Sequence, residues 1–169
     1  MRIYRIICNF AVQSQIMKKR IIVGICAILL LTSCAHEYNQ VYKTTNNDYK
    51  YEFAKECFAK GKYGFAVPLL QDLVTIEKGT DNAQECLYML AMAEYCLKDY
   101  QAASETFKKY YQTYPRGQYA EMASFYIGQS LYEGTPEPRL DQTPTVAAIA
   151  AFQEYLDIFP NGKMKETAQ

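Results

Sequence analysis

The chain has 169 residues, half of them hydrophobic, with sixteen Tyr, eight Phe and no Trp, which suits one cored domain and excludes a disordered chain. The formal net charge is zero, but Arg2, Arg5, Lys18, Lys19 and Arg20 precede every acidic residue, so residues 35–169 carry a net charge of −5. A body of that sign offers no footprint for nucleic acid, whose binding rests on neutralising phosphates.

The first predicted element is Lys18-Lys19-Arg20 followed by the apolar run "IIVGICAILLL". A membrane-spanning helix needs roughly 20 apolar residues, and this run is shorter. A buried core helix would carry polar positions at helical spacing, and the run has none. It fits the apolar region of a secretory signal. Leu31-Thr32-Ser33-Cys34 then resembles a bacterial lipobox. The resemblance implies a diacylglycerol thioether on Cys34, cleavage before it and acylation of the new amino group, with no other cofactor. Several acyl chains make such an anchor stable where one gives only marginal binding. Because "MKKRIIVGICAILLLTSC" is already a complete signal, translation is expected to begin at Met17. Residues 1–16 are then a gene-start extension, 17–33 the signal peptide and 34–47 a lipidated tether.

The body repeats. A shift of 37 residues superposes "YKYEFAKECFAKGKYGFA" on "CLYMLAMAEYCLKDYQAA", and a further 37 brings in "ASFYIGQSLYEG". Tyr51, Tyr88 and Phe125 coincide, as do Phe53, Leu90 and Ile127, the small residues Ala54, Ala91 and Gly128, and the aromatics Phe58, Tyr95 and Tyr132. Each unit reads as two helices. In the second, Leu87, Leu90, Ala91 and Tyr95 fall at helical spacing and Lys98-Asp99 marks the turn. A second helix follows with Tyr100, Ala103, Phe107, Tyr110 and Tyr114 on one face, and Pro115 ends it. The first unit repeats this around Gly61-Lys62. Pro68 falls inside its second helix, predicting a kink or a start nearer the proline. In the third, "EGTPEPRLDQTPT" intervenes before "VAAIAAFQEYLDIFP", and Thr143-Pro144 reads as an N-cap with proline at the first helical position. That loop reads equally as a longer connection or a contact element.

These residue types resemble the tetratricopeptide repeat, a helix–turn–helix with small residues at its crossings and a closing proline. Ala91, Ala103 and Pro115 carry the resemblance, with Leu87, Leu90, Tyr100 and Phe107. The expected fold is an all-α solenoid of about three repeats, 48–82, 83–117 and 118–162, with a further helix starting at 163–169. A solenoid ends on a polar capping unit, so the chain is expected to be a fragment lacking C-terminal units. The resemblance places Tyr51, Phe58, Tyr88, Tyr95, Phe125 and Tyr132 on the first helices of the repeats, lining a concave groove. Aromatics not needed for packing would give a peptide large, rigid contact area there; the alternative is that they pack between units.

No catalytic constellation accompanies this. His36 is alone, and "GKYG" is too short to cradle a phosphate. Glu52 and Glu56 share a helix face without a nucleophile or base beside them. Cys86 and Cys96 lie ten residues, about 15 Å, apart on one predicted helix and cannot be bridged. With Cys57 they are read as small packing residues. No metal site and no enzymatic activity are expected.

The lipobox, a tether rich in Tyr and Asn, and the runs "YYQTYPRGQYAEMASFYIG" and "LDQTPTVAAIAAFQEYLDIFPNG" together resemble the BamD family, in particular its Bacteroidetes form. That family consists of lipoproteins of the outer-membrane β-barrel assembly machinery. The resemblance implies a scaffold anchored at the periplasmic face of the outer membrane. Its implied partners are a BamA-type barrel subunit, engaged through C-terminal repeats, and unfolded outer-membrane proteins, engaged through the N-terminal ones. Two alternatives stand beside it. One is another repeat-type envelope lipoprotein, either a glycan-binding transporter partner or a generic scaffold. The other is an enzyme with its catalytic domain further along the chain.

Overall fold

The structure, a computed structural model, describes residues 37–80, 82–137 and 142–169. The extension, the signal, Cys34 and His36 lie outside the described residues, as do positions 138–141 of the long loop. All regular structure among the described residues is helical. The chain divides into residues 1–44 and residues 45–169. In the first unit residues 37–42 are helical, and along them the Tyr38 and Tyr42 rings stack at 5.9 Å.

The second unit is an antiparallel succession of helices: α1 (Asn47–Ala59), α2 (Tyr63–Ile76), α3 (Asn82–Cys96), α4 (Tyr100–Thr113), α5 (Ala120–Glu133), α6 (Thr143–Ile158) and the short α7 (Lys165–Ala168). Each packs chiefly on its neighbours in sequence, the signature of a solenoid, so α1/α2, α3/α4 and α5/α6 are three helix–turn–helix repeats. Local chemistry sets the starts. The Asn46 side chain accepts from the Tyr49 N–H at 3.0 Å and caps α1; Asp99 accepts from the Ala102 N–H at 3.3 Å and caps α4.

Two expectations at helix boundaries are corrected. α2 starts at Tyr63 and runs through Pro68 rather than beginning near it. The proline removes the donor that would reach the Gly64 carbonyl, at a typical cost of about 3 kcal/mol. Leu69, Leu70 and Leu73, all fully buried, each return roughly 1.5–3 kcal/mol, so burial wins. In α6 the cap is Gln142, not Thr143, and Pro144 occupies the second helical position. The first helical bond runs from the Val146 N–H to the Gln142 carbonyl at 3.2 Å, and the Thr145 hydroxyl donates to Gln142 Oε1 at 2.8 Å beside it.

The two connections of a repeat are built differently. Inside the first two repeats the chain reverses through one left-handed residue, Gly61 (φ 69°) and its 37-residue counterpart Lys98 (φ 64°). The same hydrogen bonds close both turns: Lys62 N–H to the Cys57 carbonyl at 2.8 Å, and Asp99 N–H to the Glu94 carbonyl at 3.0 Å. This is a Schellman closure, which satisfies carbonyls the helix end leaves open.

Between repeats the corner is held by a tyrosine. The Tyr110 hydroxyl donates to Gln84 Oε1 (2.6 Å) and accepts from the Tyr119 N–H (3.1 Å), while Gln84 Oε1 also accepts from the Gln118 N–H (2.9 Å). At the end of the third repeat Tyr155 donates to Glu121 (3.3 Å) and accepts from the Met164 N–H (3.1 Å). Glu121 there accepts from the Lys163 N–H (2.5 Å). Glycine completes both corners, since a Cβ at Gly117 would collide with Gln84 and one at Gly162 with the Tyr155 hydroxyl. "YPRG" and "FPNG" are thus one structural element used twice.

The small-residue column lies where first and second helices cross. Ala54 and Ala91 are fully buried; Ala91 belongs to a cluster with Leu87, Ala103, Phe107, Tyr110 and Ala123. At Gly128 an added Cβ would fall 2.8 Å from the Phe152 ring, so that crossing is tighter still.

Candidate binding surfaces

The six aromatics of the predicted groove all project from first helices, but they do not share one environment. Tyr51 and Phe125 are buried, a correction to their assignment as groove-lining residues. The Tyr51 hydroxyl donates to Glu85 at 2.5 Å across the α1–α3 contact, and its pKa is raised, first by burial. Phe125 packs on Phe152 and Tyr155, each at 5.7 Å. Tyr88 is half-buried with its ring stacked on Tyr119 at 4.2 Å, and burial pushes its hydroxyl up to about 12.

The other column grades outward. Phe58 meets Tyr63 edge-on at 5.5 Å, and Tyr95 meets Tyr100 in the same way at 5.5 Å, so each pair braces the turn inside its repeat. The second helix of the third repeat is matched at 45 residues, Tyr110 to Tyr155, and by that offset the position that would supply the third partner of this kind is Thr145. Tyr132 therefore has no turn partner of that kind and stands 61 % exposed. Among the six it is the residue most available to a ligand.

A second surface escaped the sequence reading. On the side of the second helices, α4 and α6 form the walls and α5 the floor of a groove of about 970 Å³. Ile127 and Leu131 supply its apolar floor, with Ser104, Ser124 and Ser130 beside them and Ala147, Ala150 and Ala151 on the α6 wall. Ser130 is fully buried and its hydroxyl meets no hydrogen-bond partner. Glu105 and Lys108 from α4 and Glu154 from α6 make a polar rim. The signal was present in the repeat alignment: 37 residues before those three serines stand Val67, Leu87 and Ala93.

The cysteines divide. Cys57 and Cys86 are buried, and burial, ahead of the charges of Glu77 and Glu85, pushes the Cys86 thiol up to about 12. Cys96 is exposed at the end of α3, which corrects the expectation that all three pack inside. Glu56 is exposed and paired with Lys60, which holds its carboxyl below the usual range. Among the described residues no group of His, Cys, Asp and Glu could hold a metal, and no helix is long and apolar enough to cross a membrane.

Paired helices with small residues at their crossings, stacked through repeated corners, define a tetratricopeptide-like solenoid. A family model described as an outer membrane lipoprotein, YfiO, matches residues 43–169. The chain belongs to this family, and the runs "YYQTYPRGQYAEMASFYIG" and "LDQTPTVAAIAAFQEYLDIFPNG" lie within the matched stretch. No curated protein matches the chain.

Proposed function

We propose that this lipoprotein is anchored through Cys34 at the periplasmic face of the outer membrane. There it serves β-barrel assembly, binding unfolded outer-membrane proteins and a BamA-type barrel-forming subunit. One observation carries the reading: the outer membrane lipoprotein family match begins at residue 43, nine residues after the cysteine of the lipobox-like Leu31-Thr32-Ser33-Cys34. A stack of helical repeats offers long continuous surfaces, which suits holding protein partners. The strands of barrel proteins alternate apolar and polar residues and carry aromatic residues in girdles near their ends, which unfolding exposes. The first-helix side, with Tyr132 outermost and Tyr95 and Phe58 behind it, suits short aromatic anchors whose energy is concentrated in a few contacts.

Affinity purification of the lipidated protein from solubilised envelopes tests the role. Co-purification of a barrel-forming subunit in stoichiometric amount is the expected result. Its absence, with the lipoprotein intact and in the outer-membrane fraction, would leave a generic envelope scaffold or a glycan-binding partner as the better description.

A further inference from the structure

The groove over α5 goes beyond that reading, and the chain contains its own template for what fills it. The space between the first and second repeats has the same construction, with α2 and α4 as walls and α3 as floor. There Val67 stands for Ser104, Leu87 for Ser124, Leu90 for Ile127 and Ala93 for Ser130. The corner hydrogen bonds set the offset between α4 and α6 at 45 residues, since Tyr110 matches Tyr155 and Tyr119 matches Met164. By that offset Glu105 and Thr106 of α4 stand where α6 has Ala150 and Ala151. The first interface is closed, with Leu87 3 % and Leu90 6 % exposed. In the second, Ile127 and Leu131 are only half-buried and the groove is open. Side chains of Val and Leu size are missing from one wall and the floor, and the other wall is cut back to alanine.

We propose that this groove docks an amphipathic helix of a partner protein, one that presents Leu- or Val-class anchors with a hydrogen-bonding side chain such as Asn among them. The anchors replace the aliphatic volume that Val67 and Leu87 supply in the closed interface. Walls and floor are all helical, and their lining residues recur at three- and four-residue spacing, as in Ala147, Ala150, Ala151 and Glu154. Small residues on such ridges let another helix approach closely and interdigitate. The polar partner answers Ser130, whose buried hydroxyl is otherwise left without a hydrogen bond. An apolar floor inside a charged rim is the anatomy of a protein interface.

The test uses the full chain in nanodiscs and a labelled amphipathic peptide with Leu at i, i+3 and i+7 and one Asn. Affinity is read by anisotropy against empty nanodiscs, and location by methyl NMR of Ile127 and Leu131. The peptide is expected to bind and shift both methyls. Ser104→Val with Ser124→Leu, which writes the closed interface into the open one, is expected to weaken binding by about tenfold or more. Ala150→Glu with Ala151→Thr does the same from the opposite wall, and serves if the first pair fails to fold. Tyr132→Ala, on the other face, is expected to leave this affinity unchanged, which separates the proposal from the unfolded-protein reading. Binding that is undiminished in both filled variants would overturn it. So would an extended, proline-containing aliphatic peptide that binds as tightly, or no binding to the wild-type chain.

Discussion

The two interfaces between repeats use the same helices in the same order and reach opposite results. Between the first and second repeats, Leu87, Leu90 and Ala93 are buried and the space is filled. Between the second and third, serines and alanines leave about 970 Å³ open. A repeat fold can thus hold its backbone register through the crossings and corners while side chains elsewhere on the same helices open or close a surface. The framework and the closure of an interface are encoded at different positions of one repeat.

Changes to the shared framework should break both interfaces. Phe107, fully buried against Ala91 and Ala103, should cost about 3–5 kcal/mol on substitution by Ala, measured by denaturant unfolding. Phe152→Ala, at the matching but half-buried position, should cost less, and an equal loss would mean that the third repeat is as tightly closed as the second. Tyr110→Phe should destabilise by about 1–3 kcal/mol, because it strips a hydroxyl serving both Gln84 and the Tyr119 N–H. The same change at Tyr155, where the bond to Glu121 is longer, should cost less.

Glu94 sharpens the comparison in another way. It is buried on α3 where the third repeat has Leu131, and one of its carboxylate oxygens meets no partner. Burial, then the charges of Asp99 and Glu105, raise its pKa against a lowering hydrogen bond from Thr106. A raised carboxyl pKa contributes stability that is complete below the unfolded value and lost as pH rises through the folded one. Glu94→Gln should therefore raise the melting temperature near neutral pH, and the gain should shrink in acid. A gain independent of pH would show that charge is not the cause. The smallest expected effect is at Lys98, whose left-handed φ of 64° matches Gly61 in the first repeat. Lys98→Gly should stabilise by up to about 1 kcal/mol in the same unfolding experiment.

Much of the framework was legible because it repeats. The tetratricopeptide resemblance placed Ala91 at a helix crossing, Pro115 marked the end of α4, and the repeat marked Lys98-Asp99 as the turn. What spacing could not weigh was competition. Pro68 argues for a helix start, but the three leucines packed behind it outweigh one lost hydrogen bond. The aromatic columns were legible as columns but not as surfaces. Whether Tyr51 or Tyr132 faces solvent depends on a partner elsewhere in the chain: Glu85 bonds the first, while Thr145 stands where a ring would brace the second. The groove over α5 went unread because its signal is the lack of large residues at positions of no evident chemistry.

The central claim is that the first-helix side holds unfolded barrel proteins while the lipid holds the scaffold at the membrane. Its most direct test is the affinity of the full chain for a urea-unfolded outer-membrane β-barrel protein, wild type against Tyr132→Ala, with melting followed on the same samples. The account predicts a clear loss of affinity at an unchanged melting temperature, because Tyr132 is exposed. Equal affinity for the two proteins would contradict it.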